Sequence, residues 1–177
     1  MPPLPIRIIP DPVLRQKAAP VSAVDKRVAQ VMNDMLTSMY LNHGIGLAAN
    51  QVGILERVIT IDLSEARDGS KALLMANPEV VWSAPDDTFT YREGCLSIPD
   101  QYADVTRPQR IRLTYLDQSG KKSELEAEDL LSQCIQHEID HLNGVLFIDH
   151  LSALKRKMIT RKVEKAQRDR EDKSHNL

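Results

Sequence analysis

Val24, Val28, Val31, Met35 and Met39 recur every three or four residues, and Met32 and Leu36 widen the stripe. That is the spacing of an apolar face on an α-helix. With Asp25 and Lys26 at its start and Gly44 as a stop, the pattern predicts a helix over 24–42. Upstream, Ile6 to Ile9 reads as a short apolar strand ended by Pro10. Asp11-Pro12 reads as an N-cap followed by proline at the first helical position, opening a short helix through Leu14 and Arg15. Pro20 breaks the chain.

The middle of the chain changes period. Residues 57–63 are rich in Val and Ile, 72–76 are apolar, and 79–82 and 88–91 carry β-formers. Ile111, Leu113 and Tyr115 alternate with polar residues, as in a half-buried strand. Asp117 to Gly120 joins this strand to a partner over 123–127, giving a hairpin. Gly69, Asn77-Pro78, Pro85-Asp86, Pro99-Asp100 and Pro108 punctuate the segment as turns. Helical spacing returns at Leu130, Leu131, Cys134, Ile135, Ile139 and Leu142, and Asn143-Gly144 ends it. After Phe147-Ile148, Ser152 caps a last helix, and only the final few polar residues read as disordered. The prediction is α+β, one compact domain with antiparallel or mixed sheets around a central helix, plus a C-terminal helix.

Composition narrows the function. The chain has 177 residues, 42% of them hydrophobic, with 23 Lys and Arg against 25 Asp and Glu. The net charge of -2 argues against a DNA-binding protein as the default. No apolar run approaches the roughly 20 residues of a membrane span. The first ten residues lack the pattern of a secretory signal. Two cysteines do not make a disulfide framework, so a reducing cytoplasm is expected. The charge is uneven, however. Residues 152–177 carry nine Lys and Arg against four Asp and Glu, a balance of +5, which leaves -7 for the rest.

The sharpest chemical signal is His137-Glu138-Ile139-Asp140-His141. Residues four apart share a helical face about 6 Å apart, so both imidazoles reach one metal ion. Glu138 projects about 100° away, within reach of a water at that metal but not as a ligand. Short motifs also recur by chance, but two His and a Glu on a buried helix would be costly without a partner. A third ligand is expected. Cys134 is seven residues from His141, roughly 10 Å along the axis, too far to share an ion with it. It reads as a small core residue. Cys95, in Glu93-Gly94-Cys95-Leu96-Ser97, is the better candidate, and Gly94 would allow close approach or a sharp turn. A thiolate with two imidazoles suits Zn, Fe(II), Co or Ni. A third segment, Gly44-Ile45-Gly46-Leu47-Ala48-Ala49-Asn50-Gln51, has neither phosphate-loop nor dinucleotide spacing. Its plain reading is a helix end and a tight strand. Gln51 is the exception, because a buried amide needs partners and could donate to an oxyanion.

Taken together, GIGLAANQ, EGCLS and QHEIDHLNG resemble the three signature motifs of the peptide deformylases, in order and at matching separations. Asp11 to Arg15 resembles that family's N-terminal region, and the resemblance runs from about Ile6 to Leu151. It implies that Cys95, His137 and His141 bind the catalytic metal, one divalent ion that in this family is typically Fe(II), with Zn, Ni or Co expected in purified samples. It implies Glu138 as general base, Gln51 and the Leu96 N–H as oxyanion donors, and Gly46 as the motif glycine at the metal. Ile45 and Gly94 would lie beside the substrate main chain. Tyr91, Leu130, Gln133 and Cys134 would line the methionine side-chain pocket. Gln133 is polar where the family usually has an apolar residue, which suggests a place at the rim or an altered preference. Tyr102 stands where many bacterial members carry Arg, and reads as a packed surface aromatic or an altered peptide edge.

The implied fold is an α+β domain around the metal-binding helix. Residues 1–151 would be the catalytic domain and 152–177 a basic helix and polar tail, in the same domain or appended. The implied reaction removes formyl from the N-terminal formyl-methionine of nascent proteins in a bacterial cytoplasm, releasing formate. Two other readings are weighed against it. An HExxH peptidase usually takes Glu or a third His as last ligand, which Cys95 disfavours. A ribosome- or RNA-binding module would use Lys155, Arg156, Lys157, Arg161, Lys162 and Lys165 on phosphates. In the deformylase reading, the same residues become a ribosome contact.

Overall fold

Asp11 and Asp25 open the first two helical segments as their positions predict. In the computed structural model, which describes residues 3 to 174, the Asp11 carboxylate accepts from the Val13 N–H at 3.0 Å, and a 3-10 turn runs Pro12–Arg15. Asp25 accepts from the Val28 N–H at 2.8 Å, and helix α1 runs Lys26–Leu41. The stop is Asn42 followed by His43, whose φ is 57°, rather than Gly44. Ile6 to Ile9 is not a strand. Its extended backbone bonds to single carbonyls, Arg7 N–H to Gln51 and Ile9 N–H to Ser97, so no ladder forms.

Seven strands follow: β1 (Gly46–Ala48), β2 (Val58–Ile61), β3 (Leu73–Ser83), β4 (Thr88–Cys95), β5 (Ile98–Pro108), β6 (Arg110–Leu116) and β7 (Lys122–Glu128). A five-stranded sheet has the order β1-β2-β3-β6-β7, and β4 pairs with β5 in a second sheet. All the ladders are antiparallel. The hairpin of β6 and β7 forms as expected, with Leu113 opposite Leu125.

Two expected turns are absent. Asn77-Pro78 lies inside β3, where the register shifts between Ala76 and Glu79. Proline has no N–H for a ladder, so a bulge absorbs it. Asn77 fixes the bulge by exchanging two side-chain hydrogen bonds with the Val21 backbone, at 2.9 and 2.8 Å. Pro99-Asp100 likewise lies inside β5. That strand carries few apolar residues, and its buried positions include Arg107, so alternation does not mark it.

Helix α2 (Asp129–Leu142) packs Ile135 and Leu142 against Ile59, Ile61 and Leu113 of the large sheet. α1 covers β1 and β2 through Met32, Met35 and Met39. A third cluster of Ile9, Leu14, Ile98, Val105 and Phe147 seats α3 (Ala153–Ser174) through Val163 and Ile159. Ser152 caps α3, its hydroxyl accepting from Lys155 N–H at 3.3 Å. The tail read as disordered begins past this helix and lies outside the described residues.

Candidate metal centre

α2 projects His137 and His141 from one face, with their Nε2 atoms 3.2 Å apart. β4 ends at Cys95, whose Sγ is 3.3 Å from His141 Nε2. The three donor atoms all lie within 4.8 Å of one another. Two imidazole nitrogens this close can share at most one proton. Burial and the neighbouring His137 push the His141 pKa well below its ordinary value. A neutral imidazole and a thiol converging on another imidazole is a donor set that fits a divalent cation of borderline softness. Cys134 stands outside the cluster. It is buried in the core, and burial pushes its thiol pKa up to about 12, so it stays protonated.

Glu93 holds the other edge of His137 and has no assigned role in the sequence reading. Its Oε2 meets His137 Nδ1 at 2.8 Å. Arg107 grips the same carboxylate with Nε on Oε1 at 2.6 Å and Nη2 on Oε2 at 3.1 Å. Arg107 Nη1 continues to Asp140 at 2.9 Å, where His150 also bonds at 2.8 Å. Burial disfavours the charged form of Glu93, but the hydrogen bonds from His137 and Arg107 outweigh it and hold the carboxyl well below its usual range. A charged residue in EGCLS signals that a partner is needed. Arg107 as that partner is set by the β4–β5 pairing, which spacing alone does not reveal.

Glu138 is buried, and burial pushes its pKa up to about 7. Its carboxylate lies against Gly46, where a Cβ would collide with it. Gln51 is also buried. Its Oε1 accepts from Ala48 N–H at 2.9 Å, and its Nε2 donates to Ser97 at 3.1 Å and to Cys95 Sγ at 3.5 Å. Ser97 is a site neighbour the sequence reading does not single out, although it closes the EGCLS motif.

A cavity of about 550 Å³ opens beside these groups. Ile45, Tyr91, Gly94, Leu96, Leu130 and Gln133 all line it, as do Gly46, Gln51, Cys95, Cys134, His137 and Glu138. His141 is the exception among the expected residues: it lies behind the cavity wall, 1% exposed. Gln133 is not at a rim. It is 3% exposed, and its Nε2 donates to Glu93 Oε1 at 2.9 Å. Gly94 does permit a close approach, but the group that approaches is the ring of Tyr102 across the β4–β5 ladder. Tyr102 and Arg92 stand at the outer end of the cavity, and α3 reaches it with Arg170.

A sequence model described as polypeptide deformylase matches residues 3–157. A peptide deformylase of Methylocella silvestris is 53% identical over 169 residues, covering 94% of this chain and 86% of the relative. A crystal structure of peptide deformylase from Ehrlichia chaffeensis superposes with a TM-score of 0.89 at 35% identity, covering 94% of this chain and 98% of that one. A peptide deformylase from Synechococcus elongatus in complex with actinonin gives 0.83 at 43% identity, covering 93% of this chain and 87% of that one. The peptidase and RNA-module readings gain no support from these likenesses. No helix among the described residues is long and apolar enough to cross a membrane.

Proposed function

The chain belongs to the polypeptide deformylase family, and from that premise we propose how its own residues carry the reaction. It is a hydrolase that removes the formyl group from N-formylmethionyl peptides. The observation that carries the residue assignment is the convergence of Cys95 Sγ with the ring nitrogens of His137 and His141 beside the Glu138 carboxylate.

Cys95, His137 and His141 hold one divalent ion, Fe(II) in the cell, which Zn, Ni or Co can replace in purified protein. When bound, the ion supplies Lewis acidity, polarising the formyl oxygen and lowering the pKa of water. Glu138 takes the proton of the attacking water on its carboxylate. It then delivers that proton to the departing nitrogen as the C–N bond breaks, leaving formate and a free amine. Burial raises the Glu138 pKa, the direction that favours both accepting and returning a proton. Gly46 leaves room for that carboxylate. Gln51 Nε2 and the Leu96 N–H stabilise the oxyanion. Gln51 must turn one N–H away from Ser97 or Cys95 to do so. Ile45 and Gly94 flank the substrate main chain, and Tyr91, Leu130, Gln133 and Cys134 form the wall against the methionine side chain.

We place the enzyme in the bacterial cytoplasm, where formylated chains are made. Residues 152–174 serve as part of the same domain, supported by the packing of Val163 and Ile159 on the core. Their outer face, with Lys155, Lys157, Arg161, Lys162 and Lys165 exposed, is proposed to meet ribosomal RNA. Arg156 is half-exposed and faces Asp149 at 4.0 Å.

The test is an anaerobic formate-release assay on a formyl-Met peptide, with metal analysis of the same sample. Formate release with one bound metal is expected. Internal peptide fragments, or a metal-loaded protein that releases no formate, would overturn the reading.

A further inference from the structure

Gln133 and His137 are four residues apart on α2, and both reach the same carboxylate of β4. Gln133 Nε2 donates to Glu93 Oε1 at 2.9 Å, while His137 Nδ1 bonds Oε2 at 2.8 Å. Arg107 supplies two further bonds, one to each oxygen. Glu93 is thus surrounded by donors on both oxygens. The amide orientation of Gln133 is fixed chemically, because flipping it would set its oxygen against a carboxylate oxygen.

That orientation leaves Gln133 Oε1 buried with no hydrogen-bond partner among the described residues. A buried acceptor without a donor is unfavourable. An apolar side chain of equal volume would fill this wall without that cost, as its helix neighbours Leu130 and Cys134 do. Packing therefore does not explain an amide here, whereas the N–H donated to Glu93 does.

We propose that Gln133 is a positioning residue for the metal centre, acting through Glu93 on His137. With Oε1 tied to Gln133 and Arg107, the Glu93 carboxylate cannot rotate. Its Oε2 then holds the Nδ1 edge of His137, so that Nε2 faces Cys95 and His141. Groups behind a metal-binding histidine fix its tautomer and ring orientation, and losing one typically weakens metal retention by about 10- to 100-fold. Gln133 acts one bond further out, so the low end is expected.

The inference rests on Cys95, His137 and His141 being the ligands. Its test follows release of Co(II) from the full-length protein into excess chelator, read by loss of the thiolate–Co(II) absorption. Gln133→Met keeps the volume and removes the donor. It should release Co(II) about tenfold faster than wild type. In a Glu93→Gln background the same substitution should add little, because the residue it acts through is already altered. Equal release rates for wild type and Gln133→Met would overturn the inference, as would an undiminished effect in the Glu93→Gln background. Should Gln133→Met not fold, Gln133→Leu takes its place in the same comparison. A wild-type protein that takes up no Co(II) would instead overturn the ligand assignment, which keeps the two failures apart.

Discussion

The ring of Tyr102 covers Gly94, its cross-strand partner, so closely that a Cβ on residue 94 would sit 2.5 Å from Tyr102 Cε1. Gly94 is not among the glycines with positive φ, so the ring is the reason for glycine here, not the backbone. Gly94→Ala should therefore cost about 1 kcal/mol in wild type, the low end for overpacking, because Tyr102 is 59% exposed and its ring can swing outward. The same substitution should cost little in a Tyr102→Ala background. Thermal or denaturant unfolding of the four proteins reads this coupling, and equal costs in both backgrounds would contradict it.

Glu138→Gln keeps the shape against Gly46 and removes the base. Formate release should fall by about 10²–10⁴-fold while metal content stays at the wild-type level. Near-wild-type turnover by this variant would remove Glu138 from the proton path.

Cys95→Ser and Cys134→Ser should part company. The first removes a soft donor from the three-atom cluster, and metal content and activity should drop together. The second alters a protonated core thiol, so metal content should hold. Metal analysis of both proteins, purified identically, decides the matter. A fully loaded and active Cys95→Ser protein would show that the ligand lies elsewhere.

The pair of Tyr40 and Asp62 predicts a pH window for stability. The Tyr40 hydroxyl donates to Asp62, and the Arg67 guanidinium stands 5.1 Å over the Tyr40 ring. Burial opposes the charge on Asp62, but hydrogen bonds from Ser64 and Tyr40 win, so its folded pKa is depressed. Its contribution is present above the unfolded value of about 3.9 and is lost as pH falls through the lower folded value. Burial, then Asp62, raises the Tyr40 pKa to about 12. Its contribution is present below about 10 and is lost as pH rises through the folded value. Tyr40→Phe should therefore cost about 1 kcal/mol near neutrality, and that cost should shrink in acid. Urea unfolding across the acid range tests this. A cost independent of pH would exclude the carboxylate as the partner.

The helices and the β6–β7 hairpin were legible because each has its own period and its own caps. Asp25, Ser152 and Asn143 mark boundaries through local bonds that need no knowledge of the rest of the chain. The β5 strand was not legible, since its buried positions include Arg107, whose burial makes sense only once Glu93 lies opposite. Asn77-Pro78 misleads for a similar reason: a turn dipeptide becomes a bulge when Val21, distant in sequence, bonds both ends of the asparagine amide. The metal cluster was readable in part, because the helix fixes the spacing of His137 and His141. The groups behind it, Glu93 of β4, Arg107 of β5, and Gln133 and Asp140 of α2, come from three elements that only the folded chain brings together.

α3 packs on the body of the protein through Val163 and lends Arg170 to the lining of the cavity, while its lysines are exposed. Deleting the chain after Leu151 would thus remove Arg170 from the cavity lining along with the cationic surface, and a change in turnover could not be traced to either. Charge reversal at Lys157, Arg161 and Lys165 leaves Val163 and Arg170 in place and separates the two.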